Sequence, residues 1–182
     1  MRIVGGEYRS RKLAEFKGEA IRPTADSVRE SLFNILRNRV EECDFLDLYC
    51  GTGAVGLEAL SRGANSVTFN DLSRESLAVL KKNLEILKIS DGVTVKNSDA
   101  ATFLAGMKNA SEERKFDIIY IDPPYLAGAE SVLPLVASAL KKSGVAVYEN
   151  EKPFTGTAEG LKIADERKYG RVYLTFFERA CL

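Results

Sequence analysis

The chain has 182 residues, 45% of them apolar, which suffices for one domain with a proper core. Its 26 basic and 26 acidic residues cancel, so the molecule is not a general electrostatic trap for nucleic acid. It has no histidine, which excludes a Ser-His-Asp or Cys-His site, any histidine base, and the commonest ligand of a metal site.

Cys43, Cys50 and Cys181 form neither a CxxC pair nor an even framework. No signal-like segment or long apolar span accompanies them, so they read as reduced thiols of a cytoplasmic protein that neither crosses nor holds a membrane. No metal is expected. The chemistry must therefore use carboxylates, Lys, Tyr, backbone groups or a cofactor. Charge is unevenly distributed: residues 1–40 carry nine Lys/Arg against five acids, a net +4, which leaves the rest at −4.

Residues 1–13 read as extended, with a turn at Gly5-Gly6 and basic residues Arg9, Arg11 and Lys12 around Tyr8. A small β-hairpin or arm is expected over residues 1–20, either as a solvated ribbon or as a contact for phosphates. Arg22-Pro23-Thr24 opens a helix capped by Thr24, with Val28, Leu32, Ile35 and Leu36 as its apolar stripe. No linker separates this helix from the strands after it, so residues 21–182 are read as the main domain.

From residue 45 the pattern alternates. Phe45–Tyr49 predicts a strand, Cys50–Gly53 a tight loop, and Ala54–Arg62 a helix stopped by Gly63. Val67–Asn70 is a second strand closed by Asp71, and Ser73 caps a helix with the stripe Leu77, Leu80, Leu84 and Leu87. A third strand, Val93–Lys96, ends at Asn97-Ser98-Asp99 and precedes a short helix at 101–107. The apolar run Phe116–Ile121 is a fourth strand. It stops at Asp122-Pro123-Pro124-Tyr125, where two missing backbone donors end any ladder. Residues 129–142 read as a helix, interrupted or started by Pro134. Val145–Glu149 is a fifth strand, and the tail folds as a hairpin about Tyr169-Gly170. Strand–helix alternation predicts an α/β fold, with a mostly parallel sheet and helices on both faces.

Asp71, Asp99 and Asp122 then stand at the carboxyl ends of three strands, and Gly51 and Gly53 follow the first. All face one crevice. Gly51-x-Gly53-x-x-Gly56 with Asp71 twenty residues on also matches a dinucleotide fingerprint, so a nicotinamide-dependent oxidoreductase is a competing reading. Against it stand the acidic Asp47 in the first strand, the lack of length for a substrate domain, and a proline loop with no role in hydride transfer. A non-catalytic RNA-binding module is a further alternative.

Asp47-x-x-x-Gly51-x-Gly53 with Asp71, Asp99 and the DPPY motif Asp122–Tyr125 resembles the class I S-adenosylmethionine-dependent methyltransferases that modify exocyclic amines. Further segments narrow the resemblance: Arg2-Ile3-Val4-Gly5-Gly6, Arg11-Lys12-Leu13, Arg22-Pro23-Thr24, Val28-Arg29-Glu30, Leu32–Leu36 and Asp47–Gly53 resemble RsmD-type enzymes. Those methylate N2 of a guanine in 16S ribosomal RNA of the small subunit.

The resemblance implies a Rossmann-like, seven-stranded sheet. It implies S-adenosylmethionine as cofactor, held by Asp47, Gly51 and Gly53 at the methionyl part, Asp71 at the ribose hydroxyls, and Asp99 and Ala100 at the adenine, with Tyr49 and Leu72 also in the cofactor site. Asp122, Pro123, Pro124 and Tyr125 would be catalytic. Asp122 and the Pro123 carbonyl would accept the amine hydrogens, and Tyr125 would stack on an unstacked base. Arg2, Arg9, Arg11, Lys12 and Arg22 would bind RNA. The same loop would also serve an N6-adenine or other amino-group methyltransferase on DNA or RNA. A monomer acting on an assembled or assembling subunit is the expectation, because a chain this small has little surface with which to read a long RNA.

Overall fold

Alternation of apolar side chains through the central strands decides the architecture. Phe45, Ile118, Tyr120, Val145, Val147 and Phe176 pack in one buried cluster. Their sequence neighbours Leu46, Ile119, Ile121, Ala146, Tyr148 and Phe177 pack in another. A strand with apolar residues on both faces must be covered on both, which is what a central parallel sheet requires.

In the computed structural model the described residues are 1–15, 26–124, 129 and 131–180. They form α1 (Asp26–Leu36), β1 (Asp44–Asp47), α2 (Ala54–Ser61), β2 (Ser66–Asp71), α3 (Arg74–Leu87), β3 (Val93–Asn97), α4 (Ala100–Ala105), β4 (Phe116–Ile121), α5 (Leu133–Ala139), β5 (Leu140–Asn150), β6 (Leu161–Tyr169) and β7 (Val172–Arg179). The strands join one sheet in the order β3-β2-β1-β4-β5-β7-β6. β1 runs parallel to both β2 and β4, β2 to β3, and β4 to β5. β7 is antiparallel to β5 and β6, so the expected C-terminal hairpin forms one end of the sheet. Side chains of α1, α2 and α3 fill one cluster, and those of α4 and α5 the other. Among the described residues no helix is long and apolar enough to cross a membrane.

Two boundary differences bear on the site and the sheet. β1 ends at Asp47, not Tyr49, so Asp47 is the residue that closes the strand. The helix expected over 129–142 spans only Leu133–Ala139, with Pro134 in its first turn, and residues 140–142 belong to β5. Tertiary contacts override the helix-forming Leu-Lys-Lys sequence there. Lys141 Nζ lies 2.9 Å from Asp44 and 2.7 Å from Asp117, and Leu140 pairs with Phe116. The Thr24 cap lies outside the described residues.

The first fifteen residues double back, with a bridge between Arg2 and Lys12. Ile3 is fully buried, and burying such a side chain stabilises by about 1.5–3 kcal/mol. The buried Glu58 of α2 accepts the Val4 and Gly5 N–H groups at 2.8 Å each. Ser61 accepts the Glu7 and Tyr8 N–H groups through its carbonyl and hydroxyl. The turn of the arm is thus hydrogen-bonded to α2 through donors and acceptors that the sequence pattern does not announce.

Candidate active site

The chain reverses direction of travel across the sheet between β1 and β4, and a crevice opens at the carboxyl ends of those strands. Asp47 sits at its floor, 2% exposed. Its Oδ2 accepts the Gly56 N–H at 2.9 Å, one of the donors that the start of α2 leaves unpaired. Burial raises its pKa from 3.8 to about 7, with the Gly56 hydrogen bond opposing and the Asp71 charge adding. A neighbouring cation would favour its ionised form.

The loop after β1 depends on two glycines. Gly51 has φ +52° and Gly53, the residue before α2, φ +87°, a region other residues rarely adopt. A Cβ on Gly53 would also strike Leu80 Cδ1 at 2.3 Å, whereas one on Gly51 would meet nothing within 4 Å. Gly51 therefore borders open space. Gly56 serves packing: its Cβ would lie 2.3 Å from Phe69 Cε1, so α2 rests directly on β2.

Asp71 braces this loop, accepting the Gly51 N–H at 2.7 Å through Oδ2 and the Ser73 N–H at 2.8 Å through Oδ1. Leu72 is 71% exposed although Asn97 Nδ2 holds the Asp71 and Leu72 carbonyls at 2.9 Å each. Asp99 caps α4 by accepting the Thr102 N–H at 3.0 Å, and Ala100 is buried in the first turn. Tyr49 is half-buried. Burial, then Asp99 and Tyr148, push its hydroxyl up to about 12, so it stays protonated.

Asn70 was not apparent from the sequence. It is buried, and its Nδ2 donates to the Leu48 and Ser98 carbonyls at 3.1 Å each, tying the ends of β1, β2 and β3 together. Its only signal is an amide one residue before a strand-closing acid.

At the end of β4, Asp122, Pro123 and Pro124 line a pocket with Tyr148, Glu149 and Asn150 of β5. Tyr120 donates its hydroxyl to Glu149 Oε2, a pairing that sequence reasoning also missed. Tyr125 and Arg22 lie outside the described residues. Arg2, Arg9, Arg11 and Lys12 are exposed, but the fold does not bring all of them to the crevice. Arg11 donates to the Ile86 carbonyl at 2.7 Å, near the end of α3, and the arm's turn touches Ser61, the last residue of α2. Both helices start at the crevice, and 14-residue α3 spans about 21 Å.

An open sheet of this strand order, with a glycine loop after β1, acids closing β1 and β2, and Asp-Pro-Pro after β4, defines a class I S-adenosylmethionine-dependent methyltransferase. Residues 1–178 match the family described as conserved hypothetical protein 95, and the chain belongs to that family. It is 38% identical over 156 residues to the ribosomal RNA small subunit methyltransferase D of Haemophilus influenzae, covering 84% of this chain and 79% of that one. The Escherichia coli protein of the same name is 41% identical over 128 residues, 70% of this chain and 62% of its own. The solved Escherichia coli protein yhhF superposes with a TM-score of 0.83 at 33% identity, across 98% of this chain and 97% of the other.

Proposed function

We propose that this chain transfers a methyl group from S-adenosylmethionine to N2 of a guanine in 16S ribosomal RNA, on an assembled or assembling small subunit. It would act in the cytoplasm as a monomer without a metal. The observation that carries this reading is that β4, which runs into Asp122-Pro123-Pro124, pairs directly with β1, which ends at Asp47 before the Gly51 loop braced by Asp71.

The donor set fits the cofactor. Asp47, held near neutrality by burial, is suited to an ammonium or sulfonium charge. Open space over Gly51 admits close approach of a ligand to the backbone. Asp71 would receive the ribose hydroxyls with lone pairs its two backbone donors leave over, and the exposed Leu72 would lie against the adenosyl part. Tyr49, Gly53, Asp99 and Ala100 would complete the site.

S-adenosylmethionine supplies an electrophilic methyl group. The chain's task lies with the amine, whose lone pair is delocalised into the guanine ring. Asp122 and the Pro123 carbonyl would accept its two hydrogens. That draws the nitrogen toward a tetrahedral shape and aims the lone pair. Two prolines keep these acceptors rigid, so positioning supplies much of the rate. As the N–C bond forms at the expense of the donor's C–S bond, whose electron pair stays on the leaving sulfur, one amine proton passes to Asp122 or to water. Pro124 stiffens the loop, and Tyr125 would stack on the base. Arg2, Arg9, Arg11, Lys12 and Arg22 would hold RNA phosphates.

The test uses labelled S-adenosylmethionine with unmodified small ribosomal subunits and, in parallel, their deproteinised RNA. Digestion and mass spectrometry identify the nucleoside. N2-methylguanosine supports the reading, and the two substrates separate particle from free RNA. N6-methyladenosine would move the assignment to adenine, and no transfer to either substrate would overturn it.

A further inference from the structure

Methyl transfer through Asp122 and Pro123 leaves two pocket carboxylates without a task, the exposed Glu151 and the partly buried Glu149. β4 and β5 pair in parallel up to Ile121 and Tyr148, and Asp122 and Glu149 are the next residues on each strand. Neighbouring strands lie about 4.8 Å apart. Alternation places both residues on the side of Tyr120 and Val147, and both line the same pocket. Glu149 is held from below. Tyr120, 2% exposed, donates its hydroxyl to Oε2, and among the described residues no donor is hydrogen-bonded to Oε1. Burial pushes the Glu149 carboxyl upward, with the Tyr120 hydrogen bond pulling the other way. Two neighbouring carboxylates with one oxygen spare invite a ligand that offers two neighbouring donors.

Guanine has such an edge: its ring N1–H stands beside the N2 amine. We propose that Glu149 selects guanine, its Oε1 accepting the ring N1–H while Asp122 accepts from the amine. This rests on the guanine-N2 reading and deepens it. Tyr120 is a positioning residue, since it orients Glu149 and does not touch the base. Selection follows from what happens to other bases. Adenine, or any purine lacking the N1 hydrogen, turns a lone pair toward Oε1. A partly buried carboxylate would then lose water and gain no donor, and sites built around a hydrogen bond reject such analogues strongly.

The probe is 2-aminopurine, which keeps the amine at C2 and carries a lone pair at N1. It is placed by fragment ligation and reconstitution in small subunits, at the position found methylated by mass spectrometry. Wild type, Glu149→Gln and Tyr120→Phe are compared by kcat/KM on guanine and 2-aminopurine substrates, with melting temperature and S-adenosylhomocysteine binding as controls. Wild type is expected to prefer guanine by about 100-fold or more. Glu149→Gln can offer an amide N–H to the lone pair, and should narrow that preference about tenfold while raising the absolute rate on 2-aminopurine. Tyr120→Phe should fall between the two. Loss of the guanine O6 is common to all three enzymes, so the change in ratio isolates Glu149.

An unchanged ratio in both variants overturns the proposal while leaving the guanine reading intact, as does a wild type that makes N2-methylguanosine without preferring guanine. A wild type that makes no N2-methylguanosine overturns both, and it is measured first. If Glu149→Gln does not fold, the ratio in Tyr120→Phe decides.

Discussion

Asn83 of α3 donates from Nδ2 to the Thr52 carbonyl at 3.0 Å, although no part of Asn83 is exposed. The same amide accepts the Ala14 N–H at 2.7 Å and donates to the Ala14 carbonyl at 3.2 Å. One side chain thus joins the glycine loop of the crevice to the end of the N-terminal arm.

Replacing Asn83 by Ala leaves those partners buried and unpaired. The expected loss is about 1–3 kcal/mol, or a melting temperature several degrees lower. Cofactor affinity should weaken with it, because the loop carrying Gly51 loses a brace. Calorimetric melting and titration with S-adenosylhomocysteine measure both. Unchanged affinity in a folded variant would show that the loop does not depend on Asn83.

Asp47 makes a pH prediction whose sign is set by its raised pKa of about 7. Between about 4 and 7 the folded, ligand-free protein holds a proton that the unfolded chain has released. Its contribution to stability is therefore fully present below about pH 4 and is lost as pH rises to 7. A cationic ligand pulls the other way, favouring ionised Asp47, so cofactor affinity should rise over the same window with release of a proton. Asp47→Asn should flatten both profiles. Denaturant melts and calorimetry in buffers of different ionisation enthalpy check this, and identical slopes in the variant would remove Asp47 as the group responsible.

Asp122→Ala should cut kcat by about 100-fold or more, since the proposed mechanism makes its carboxylate an acceptor for the reacting amine. Cofactor affinity should stay within about twofold, because an interaction made with the transition state is lost without loss of binding to the ground state. Single-turnover transfer to small subunits, alongside cofactor titration, separates the two. Normal turnover would assign the amine contacts elsewhere in the pocket.

Neutralising Arg9, Arg11 and Lys12 together should weaken RNA binding and flatten its salt dependence by about 0.7 in slope per lost phosphate contact. Transfer at saturating RNA should change little, because the arm's turn lies at the far ends of α2 and α3 from the crevice. Filter binding across a salt series gives the slope, and an unaltered one would make the arm a structural ribbon.

The order of strands and helices, the parallel sheet and the crevice with Asp47, Gly51, Asp71 and Asp122 were legible in sequence because each rests on short-range chemistry. Side-chain alternation marks a strand, glycine marks a positive φ, and a proline pair ends a ladder. The helix over 133–139 was overextended because Lys141 is drawn into the sheet by Asp44 and Asp117, the first of these 97 residues away in the chain. Asn83, Glu58 and the Tyr120–Glu149 pair carried no legible signal either, and Asn70 only its place before Asp71. A lone amide or carboxyl in a sequence looks the same whether it meets solvent or a partner on another element.

Local periodicity in the sequence determined the type of fold, and its motifs, through their resemblance to a known family, pointed to the cofactor class. Only the tertiary structure decided that Asp47 is buried enough to stay half-protonated near neutrality, that the basic turn sits a helix length from the crevice, and that a second carboxylate stands beside Asp122. Burial and distance between remote residues are properties of the packed chain, and no local pattern expresses them.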